Sequence, residues 1–339
     1  MDGKTILSIS KCGDLFPHGE DNVRAKYKEL AKEWHPDTNH DQDAPAVFAK
    51  INELYNQALE LLKNGQWEKT NYILIGKESG KKIALSYDTC FDFELGICYV
   101  SKTKVVYVLN SDKEKYYKNA VHMINGLTYK DKGMEDNLSQ FLPKIYDNFK
   151  TNTGEYVIVL EKSEDVYPLK TIFEYFGNKI EDRHVAWIIS RLCNLACYLK
   201  FSGLVHNGIN INNCFISPKY HSILLLGGWW YTTRENDNMI GTTKNIFSII
   251  SVSSKNSKKS STVTDLESVK MLGRQLLGES NCRKLQLDST IPKPFINFLI
   301  SGSGNNSYEE FKKWDKALND SYGERKFIKM EINNVYGRK

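Results

Sequence analysis

Trp34-His35-Pro36-Asp37 lies between two amphipathic runs, and its reading decides how the N-terminal part of the chain folds. Upstream, Val23, Tyr27, Leu30, Ala31 and Trp34 recur at spacings of three and four. That places them on one helical face and turns Arg24, Lys26, Lys28 and Lys32 toward solvent. The helix cannot run through Pro36, because proline has no amide donor and drives the residue before it out of the α region, so His35 opens a loop. Downstream, Phe48, Ile51, Tyr55, Ala58, Leu59 and Leu62 again share a helical face, with Asp43 placed to cap, Pro45 in the first turn and Asn64-Gly65 as the stop. The spacing predicts two antiparallel helices with an exposed His-Pro-Asp at their junction. Ile6-Leu7-Ser8-Ile9 and Leu15-Phe16 ahead of them are expected to pack across the pair.

Residues from about Lys4 to Asn64 resemble a J-domain, the co-chaperone module that stimulates ATP hydrolysis by DnaK-class chaperones. The resemblance is carried by the run from Tyr27 to Asp37, followed by Phe48, Ile51 and Tyr55, in the family's order. A bare His-Pro-Asp would mean little, since such a turn arises by chance; flanked by both helices it is specific. The resemblance implies that His35, Pro36 and Asp37 engage a DnaK-class chaperone. It also implies that Arg24, Lys26, Lys28 and Lys32 steer the helix toward an acidic surface. No glycine-phenylalanine linker or zinc-binding cysteine repeat follows, unlike the general multidomain J-proteins.

With 339 residues, the chain has room for a large second domain beyond that module. A composition of 41% apolar and 26% charged residues is that of a globular protein, and a net charge of +5 permits a nucleic-acid partner without requiring one. The seven cysteines show no paired metal-ligand spacing. Cys193 and Cys197, one helical turn apart in an apolar run, read as buried thiols, and the compartment as reducing and cytoplasmic. Neither an N-terminal apolar signal region nor a membrane-length apolar run is present. Abundant Lys, Asn, Ile and Tyr fit an AT-biased coding genome such as a phage's.

Beyond residue 66 the period changes. Tyr72-Ile73-Leu74-Ile75, Lys82 to Leu85, Gly96 to Val100 and Val105 to Leu109 are short β-branched and aromatic runs between turn residues, and read as an antiparallel sheet. Lys115 to Ala120 is expected to add a strand, Glu135 to Phe141 a short helix, and Tyr156 to Leu160 a buried strand. After a junction near 161–168 the pattern turns helical, with Leu169 to Tyr175 and then Arg183 to Phe201 carrying apolar residues at helical spacing.

His206-Asn207-Gly208 and Asn213 follow that long helix, then Phe215-Ile216 and Ile223 to Leu226 ahead of Gly227-Gly228-Trp229-Trp230. This resembles the core of a protein-kinase fold, in which His-Arg-Asp, four residues and Asn form the catalytic loop and a hairpin then delivers Asp-Phe-Gly. His206 and Asn213 keep their places. Gly208 stands for the catalytic-base aspartate and Gly227 for the metal-binding one, while Asp265 resembles the aspartate that braces the catalytic-loop backbone. The expected architecture is multidomain: an all-α J-domain helical hairpin (1–66), then an α+β two-lobed kinase-like domain with a mostly antiparallel β lobe (67–162) and a mostly helical lobe (163–339).

Phosphoryl transfer needs one carboxylate at the nucleophile and another on Mg2+. Glycine supplies neither, and Asn213 alone is a weak, neutral oxygen ligand. Leu95-Gly96-Ile97 offers one glycine where a phosphate cradle uses several, and Lys115 or Lys118, with Glu135, are the candidates for the phosphate-contacting lysine and its ion-pair partner. The expectation is a pseudokinase with no catalytic residue, metal or cofactor, joined to a J-domain that recruits a DnaK-class chaperone while the larger domain binds a client or partner. No nucleic acid or membrane is required. The alternatives are an atypical kinase or nucleotidyl transferase using other carboxylates, and a scaffold that engages no chaperone. Ser251 to Thr262, serine- and lysine-rich, reads as a mobile loop, with phosphorylation or an acidic partner as its alternative role. Trp229-Trp230-Tyr231 reads as core packing or a plug of the former nucleotide pocket, and the charges of Tyr308 to Trp314 as a solvated face.

Overall fold

The computed structural model describes residues 2–16, 20–63, 71–76, 80, 82–279, 283–324, 326, 328–333 and 335–337. Glu20–Trp34 and Ala44–Lys63 are the two expected helices, the first ending one residue before His35 and the second beginning one residue before Pro45. A short helix, Gly3–Ser8, and a turn at Cys12–Asp14 lie across them. Ile6, Leu15, Phe16, Val23, Leu30, Trp34, Val47, Ile51 and Leu54 make a core of their own. The apolar face of the second helix is thus displaced from the one expected: Ala44, Val47, Ile51, Leu54 and Ala58 are buried, whereas Phe48 is half-exposed. Asn64-Gly65, the expected stop, and the boundary at 66 lie outside the described residues.

Two antiparallel sheets follow. Asn71–Ile75 pairs with Lys82–Ser86 as a separate two-stranded ribbon rather than as part of one large sheet. The main sheet has five strands, taken across the sheet as Thr89–Phe93, Gly96–Val100, Lys104–Leu109, Tyr156–Glu161 and Ile145–Lys150, all antiparallel. Thr89–Phe93 and Ile145–Lys150 escaped the sequence reading because Ile145 is the one large aliphatic residue between them. Strand alternation sorts the central residues: Val105, Tyr107 and Leu109 face the large core, and Val106 and Val108 face a second cluster with Leu74 and Leu85.

Lys115 to Ala120, expected as a strand, belongs to the helix Glu114–Asn125. Its buried residues, Ala120 and Ile124, are four apart, a helical rather than an alternating period. Lys132–Leu138 and a turn at Ser139–Phe141 lead to the fifth strand. The helical lobe is built on Asp182–Phe201, buried along most of its length, which packs against Thr262–Leu276 and Ser307–Tyr322. In front of it stands the hairpin Cys214–Ser217 with Ser222–Leu225, whose first strand also pairs with Tyr167-Pro168.

Two expectations about the helical lobe are corrected. Ser251 to Thr262 is not a loose loop: Val252–Ser257 is helical, Ser254 and Ser260 are buried, and the Ser260 amide donates to the Asp237 carbonyl at 2.9 Å. The Ser307–Tyr322 helix is not wholly solvated on its charged side, because Glu310 is 1% exposed and meets the equally buried Lys270 at 2.7 Å. Among the described residues no helix is long and apolar enough to cross a membrane.

Candidate functional site

The loop after Trp34 is closed by its own backbone. The Thr38 and Asn39 amides donate to the His35 carbonyl at 3.0 and 2.8 Å, and the Asn39 side chain donates to the Glu33 carbonyl at 2.9 Å, satisfying part of the helix end. The His35 ring stands edge-on to Phe48, centroids 5.2 Å apart, and its Nδ1 accepts the Asp37 amide at 3.2 Å. A neutral imidazole that accepts at Nδ1 carries its proton on Nε2 and can donate from there. The Asp37 side chain is 86% exposed. Of the four basic residues on the preceding helix, Arg24 pairs with Glu20 at 2.6 Å and Lys26 with Glu29 at 2.8 Å. Lys28 and Lys32 are exposed and pair with no carboxylate among the described residues.

The second constellation is built around Asp265, in the first turn of Thr262–Leu276. It is 2% exposed, and its carboxylate accepts the backbone amides of His206 at 2.7 Å and Asn207 at 2.9 Å. Burial pushes its carboxyl up to about 7, with the two amide donors pulling the other way. Asn207 takes a left-handed conformation, φ 57°, and its side-chain amide reaches the Tyr231 carbonyl and the Ser260 hydroxyl, each at 3.1 Å. Asn210 Oδ1 accepts the Asn212 and Asn213 amides. Asn213 then donates its side chain to the Gly208 carbonyl at 2.8 Å, and its own carbonyl accepts the Gly227 amide at 3.0 Å. His206 is fully buried, edge-on to Trp229, and burial lowers its pKa to about 3, so the ring is neutral.

The space between these groups is filled. A β-carbon on Gly227 would lie 2.6 Å from both Asn213 Oδ1 and the Tyr107 hydroxyl, and 3.0 Å from Asn213 Cα. One on Gly208 would lie 3.2 Å from the Gly228 backbone. Tyr107 and Trp230 are each 1% exposed and meet edge-on, centroids 5.0 Å apart, with Phe93 packed on both rings at 5.4 and 4.8 Å. From the Glu114–Asn125 helix, the Asn119 side chain donates to the carbonyls of Trp230 at 3.2 Å and Thr232 at 2.9 Å. Among the described residues no three His, Cys, Asp or Glu side chains are disposed to share a metal. An amide, a phenol and backbone carbonyls are not the donor set of a Mg2+-nucleotide site, and these residues do not fit one.

Residues 6–64 match the family model of the DnaJ domain. They form a J-domain. Over 64 residues this chain is 34% identical to the chaperone protein DnaJ of Limosilactobacillus reuteri (strain DSM 20016), and equally to that of L. reuteri subsp. reuteri (strain JCM 1112). The match covers 19% of this chain and about 15% of the length of those relatives. The structure of vaccinia related kinase 3 superposes with a TM-score of 0.50 and 14% identity, over 74% of this chain and 92% of that one. At that identity the likeness shows the fold: most of the chain beyond the J-domain is protein-kinase-like.

The J-domain's His35, Pro36 and Asp37 come together on one exposed turn. In the kinase-like domain His206, Gly208, Asn213, Gly227 and Asp265 lie close together. The lysine candidates do not. Lys115 and Lys118 lie on the Glu114–Asn125 helix, where Lys118 pairs with Glu114 at 2.8 Å, and Glu135 pairs with Lys132 at 3.1 Å. In kinases the phosphate-contacting lysine stands on the third sheet strand. Here that strand is Lys104–Leu109, and the side chain it turns toward Gly227 is Tyr107. Sequence reading missed Tyr107, Phe93 and Asn119. Alternation along Val105, Tyr107 and Leu109 was the available signal for the first; nothing local marks the other two.

Proposed function

We propose that the J-domain recruits a DnaK-class chaperone and stimulates its ATPase, and that the kinase-like domain transfers no phosphate and holds a client or partner for that chaperone. The observation that carries the first half is the turn itself. His35 and Asp37 present a partly exposed imidazole and an 86% exposed carboxylate on that turn, and Lys28 and Lys32 on the adjoining helix, which pair with no carboxylate among the described residues, favour approach to an acidic surface. The second half rests on the filled space beside Gly227. A kinase or nucleotidyl transferase needs a carboxylate near Asn213, and the groups there are Tyr107, Gly208 and backbone. The loop geometry persists without its chemistry, which suits a domain used for its surface.

The test is steady-state ATP turnover by a DnaK-class chaperone with the full chain and with His35→Gln and Asp37→Asn. Wild type should stimulate several-fold, and both variants should return turnover to the chaperone's basal rate. No stimulation by wild type, or equal stimulation by the variants, overturns the co-chaperone reading. For the kinase-like domain, labelled ATP with generic protein substrates should give background only, and transfer that disappears in Asn213→Ala would overturn the pseudokinase reading.

A further inference from the structure

The helices Asp182–Phe201 and Ser307–Tyr322 pack side by side, and the two line a cavity of about 420 Å3. That volume falls in the range of small-molecule sites, roughly 300 to 1,000 Å3. Among the described residues, none of the degenerate catalytic loop and none of the Asp265 helix lines it. Its floor is Trp314, 0% exposed, whose indole Nε1 donates to the Ser190 hydroxyl at 2.9 Å, and that hydroxyl donates in turn to the Ala186 carbonyl at 3.0 Å. Phe311 and Leu318 line it from the same helix as Trp314. Tyr322 lines it from the last turn, where its hydroxyl donates to the Asp182 carboxylate at 2.6 Å.

Trp187 and His221 supply a second, stiff wall, their rings parallel to within 2° and 4.7 Å apart. His221 lies in the turn between the strands Cys214–Ser217 and Ser222–Leu225, in a left-handed conformation with φ 45°, and its carbonyl accepts Arg191 Nε at 3.0 Å. The guanidinium is thereby fixed at the cavity by one nitrogen. Arg183, about two turns earlier on the same helix, lies over the Tyr322 ring at 5.0 Å. Neither arginine pairs with a carboxylate among the described residues. Of the acidic groups that line the cavity, Asp315 is already engaged and Glu324 is offset in charge by Lys326.

We propose that this cavity binds a small planar aromatic carboxylate, its ring among Trp187, Phe311 and Trp314 and its carboxylate on the Arg191 guanidinium. Two features select that chemistry. The apolar lining is mostly flat rings, which favour offset or edge-on contact with another ring, whereas an acyl chain has no comparable aliphatic channel here. A guanidinium whose fork is not taken by a protein carboxylate can hold one from a ligand with two parallel hydrogen bonds. Asn194 and Asn319 line the same cavity and add amide donors. The inference is independent of the co-chaperone and pseudokinase readings, because none of their residues takes part.

The experiment uses the full chain with naphthoate as the probe, read by titration calorimetry and by tryptophan emission. Wild type should bind it with a dissociation constant below about 1 mM, a level within reach of a ligand of that size. Naphthylmethanol, which keeps the rings and lacks the charge, should bind at least about tenfold more weakly, and octanoate, which keeps the charge and lacks the rings, should also bind more weakly. Arg191→Gln should weaken naphthoate binding at least about tenfold and leave naphthylmethanol binding unchanged; a merely structural role for Arg191 would weaken both alike. Leu318→Trp should abolish binding by filling the cavity. Should that variant fail to fold, Asn319→Trp at the exposed rim carries the same comparison, with thermal melts reporting the fold. No naphthoate binding by wild type at about 1 mM, equal or tighter binding of naphthylmethanol or octanoate, or naphthoate affinity unchanged in Arg191→Gln or in a folded filling variant overturns the proposal.

Discussion

The Tyr107 hydroxyl lies 2.6 Å from the point where a β-carbon on Gly227 would be, so the third strand of the sheet leaves no room for a side chain at that position. The missing side chain at Gly227 and the placement of Tyr107 are thus one arrangement. Gly227→Asp is expected to lower stability by about 1 to 3 kcal/mol through overpacking, with a further cost for a carboxylate buried without a partner. It should bring no ATP turnover. Urea denaturation and a labelled-ATP assay check both; a variant as stable as its parent, or one that transfers phosphate, contradicts the closure.

Lys270 and Glu310 form an ion pair whose side chains are each 1% exposed, with further bonds from Lys270 to Ser301 and from Lys313 to Glu310. Removing one charge strands the other in the core. Lys270→Met alone should cost about 3 to 5 kcal/mol, and the double change with Glu310→Leu clearly less than the two single costs combined. Chemical denaturation of the four proteins decides it, and additive costs would sink the prediction.

Asp265 and His206 are joined by one hydrogen bond and titrate in opposite senses. Asp265 is raised from 3.8 to about 7, so its contribution to stability is full below 3.8 and is lost as pH rises through 7. His206 is lowered from 6.5 to about 3, so its contribution is full above 6.5 and is lost as pH falls toward 3. Between about pH 4 and 6.5 the two offset each other. Asp265→Asn removes one side and should make stability fall more steeply with acidification than in wild type, by at most about 1.4 kcal/mol per pH unit. Denaturation midpoints at pH 7.5 and pH 5 test the sign, and a variant that acid destabilises less than wild type would show it to be wrong.

In the J-domain, Leu30 and Phe48 separate packing from aim. Leu30 is 1% exposed, and Leu30→Ala should cost about 2 to 5 kcal/mol. Phe48 is half-exposed and supports the His35 ring. Phe48→Ala should cost less stability and still reduce chaperone stimulation, because the imidazole loses the wall that orients it. Thermal melts set beside chaperone ATP turnover distinguish the two, and undiminished stimulation by a folded Phe48→Ala chain would rule the wall out.

Much of this was legible in the chain. The helix pair followed from the spacing of Val23 to Trp34 and the block at Pro36, and the kinase-like loop from a family resemblance carried by His206 and Asn213. What stayed hidden depends on contacts between distant segments. Lys115 to Ala120 reads as a strand from its tyrosines, yet Ala120 and Ile124 are buried by tertiary packing that asks for a helical period. Glu310 looks like any charge on a terminal helix until Lys270, forty residues away, is placed against it. Tyr107 is one more aromatic in a β-rich run until the sheet order makes its strand the third. Ser251 to Thr262 has too few apolar residues to suggest order, and gains it from hydrogen bonds to Asn207 and Asp237.

Asn119 gives the kinase-like domain a mechanical character. One amide side chain bonds the carbonyls of Trp230 and Thr232 and so fastens the helix of the sheet lobe to the turn of the helical lobe. Two lobes that close on a ligand need a joint; these are pinned across it, beside a seam already filled with aromatic rings. Opening the lobes at this point would break both hydrogen bonds and part Trp230 from the rings of Phe93 and Tyr107. Beside Gly227 the rings of Phe93, Tyr107 and Trp230 leave no room for a further side chain, so a ligand entering there would first have to move them.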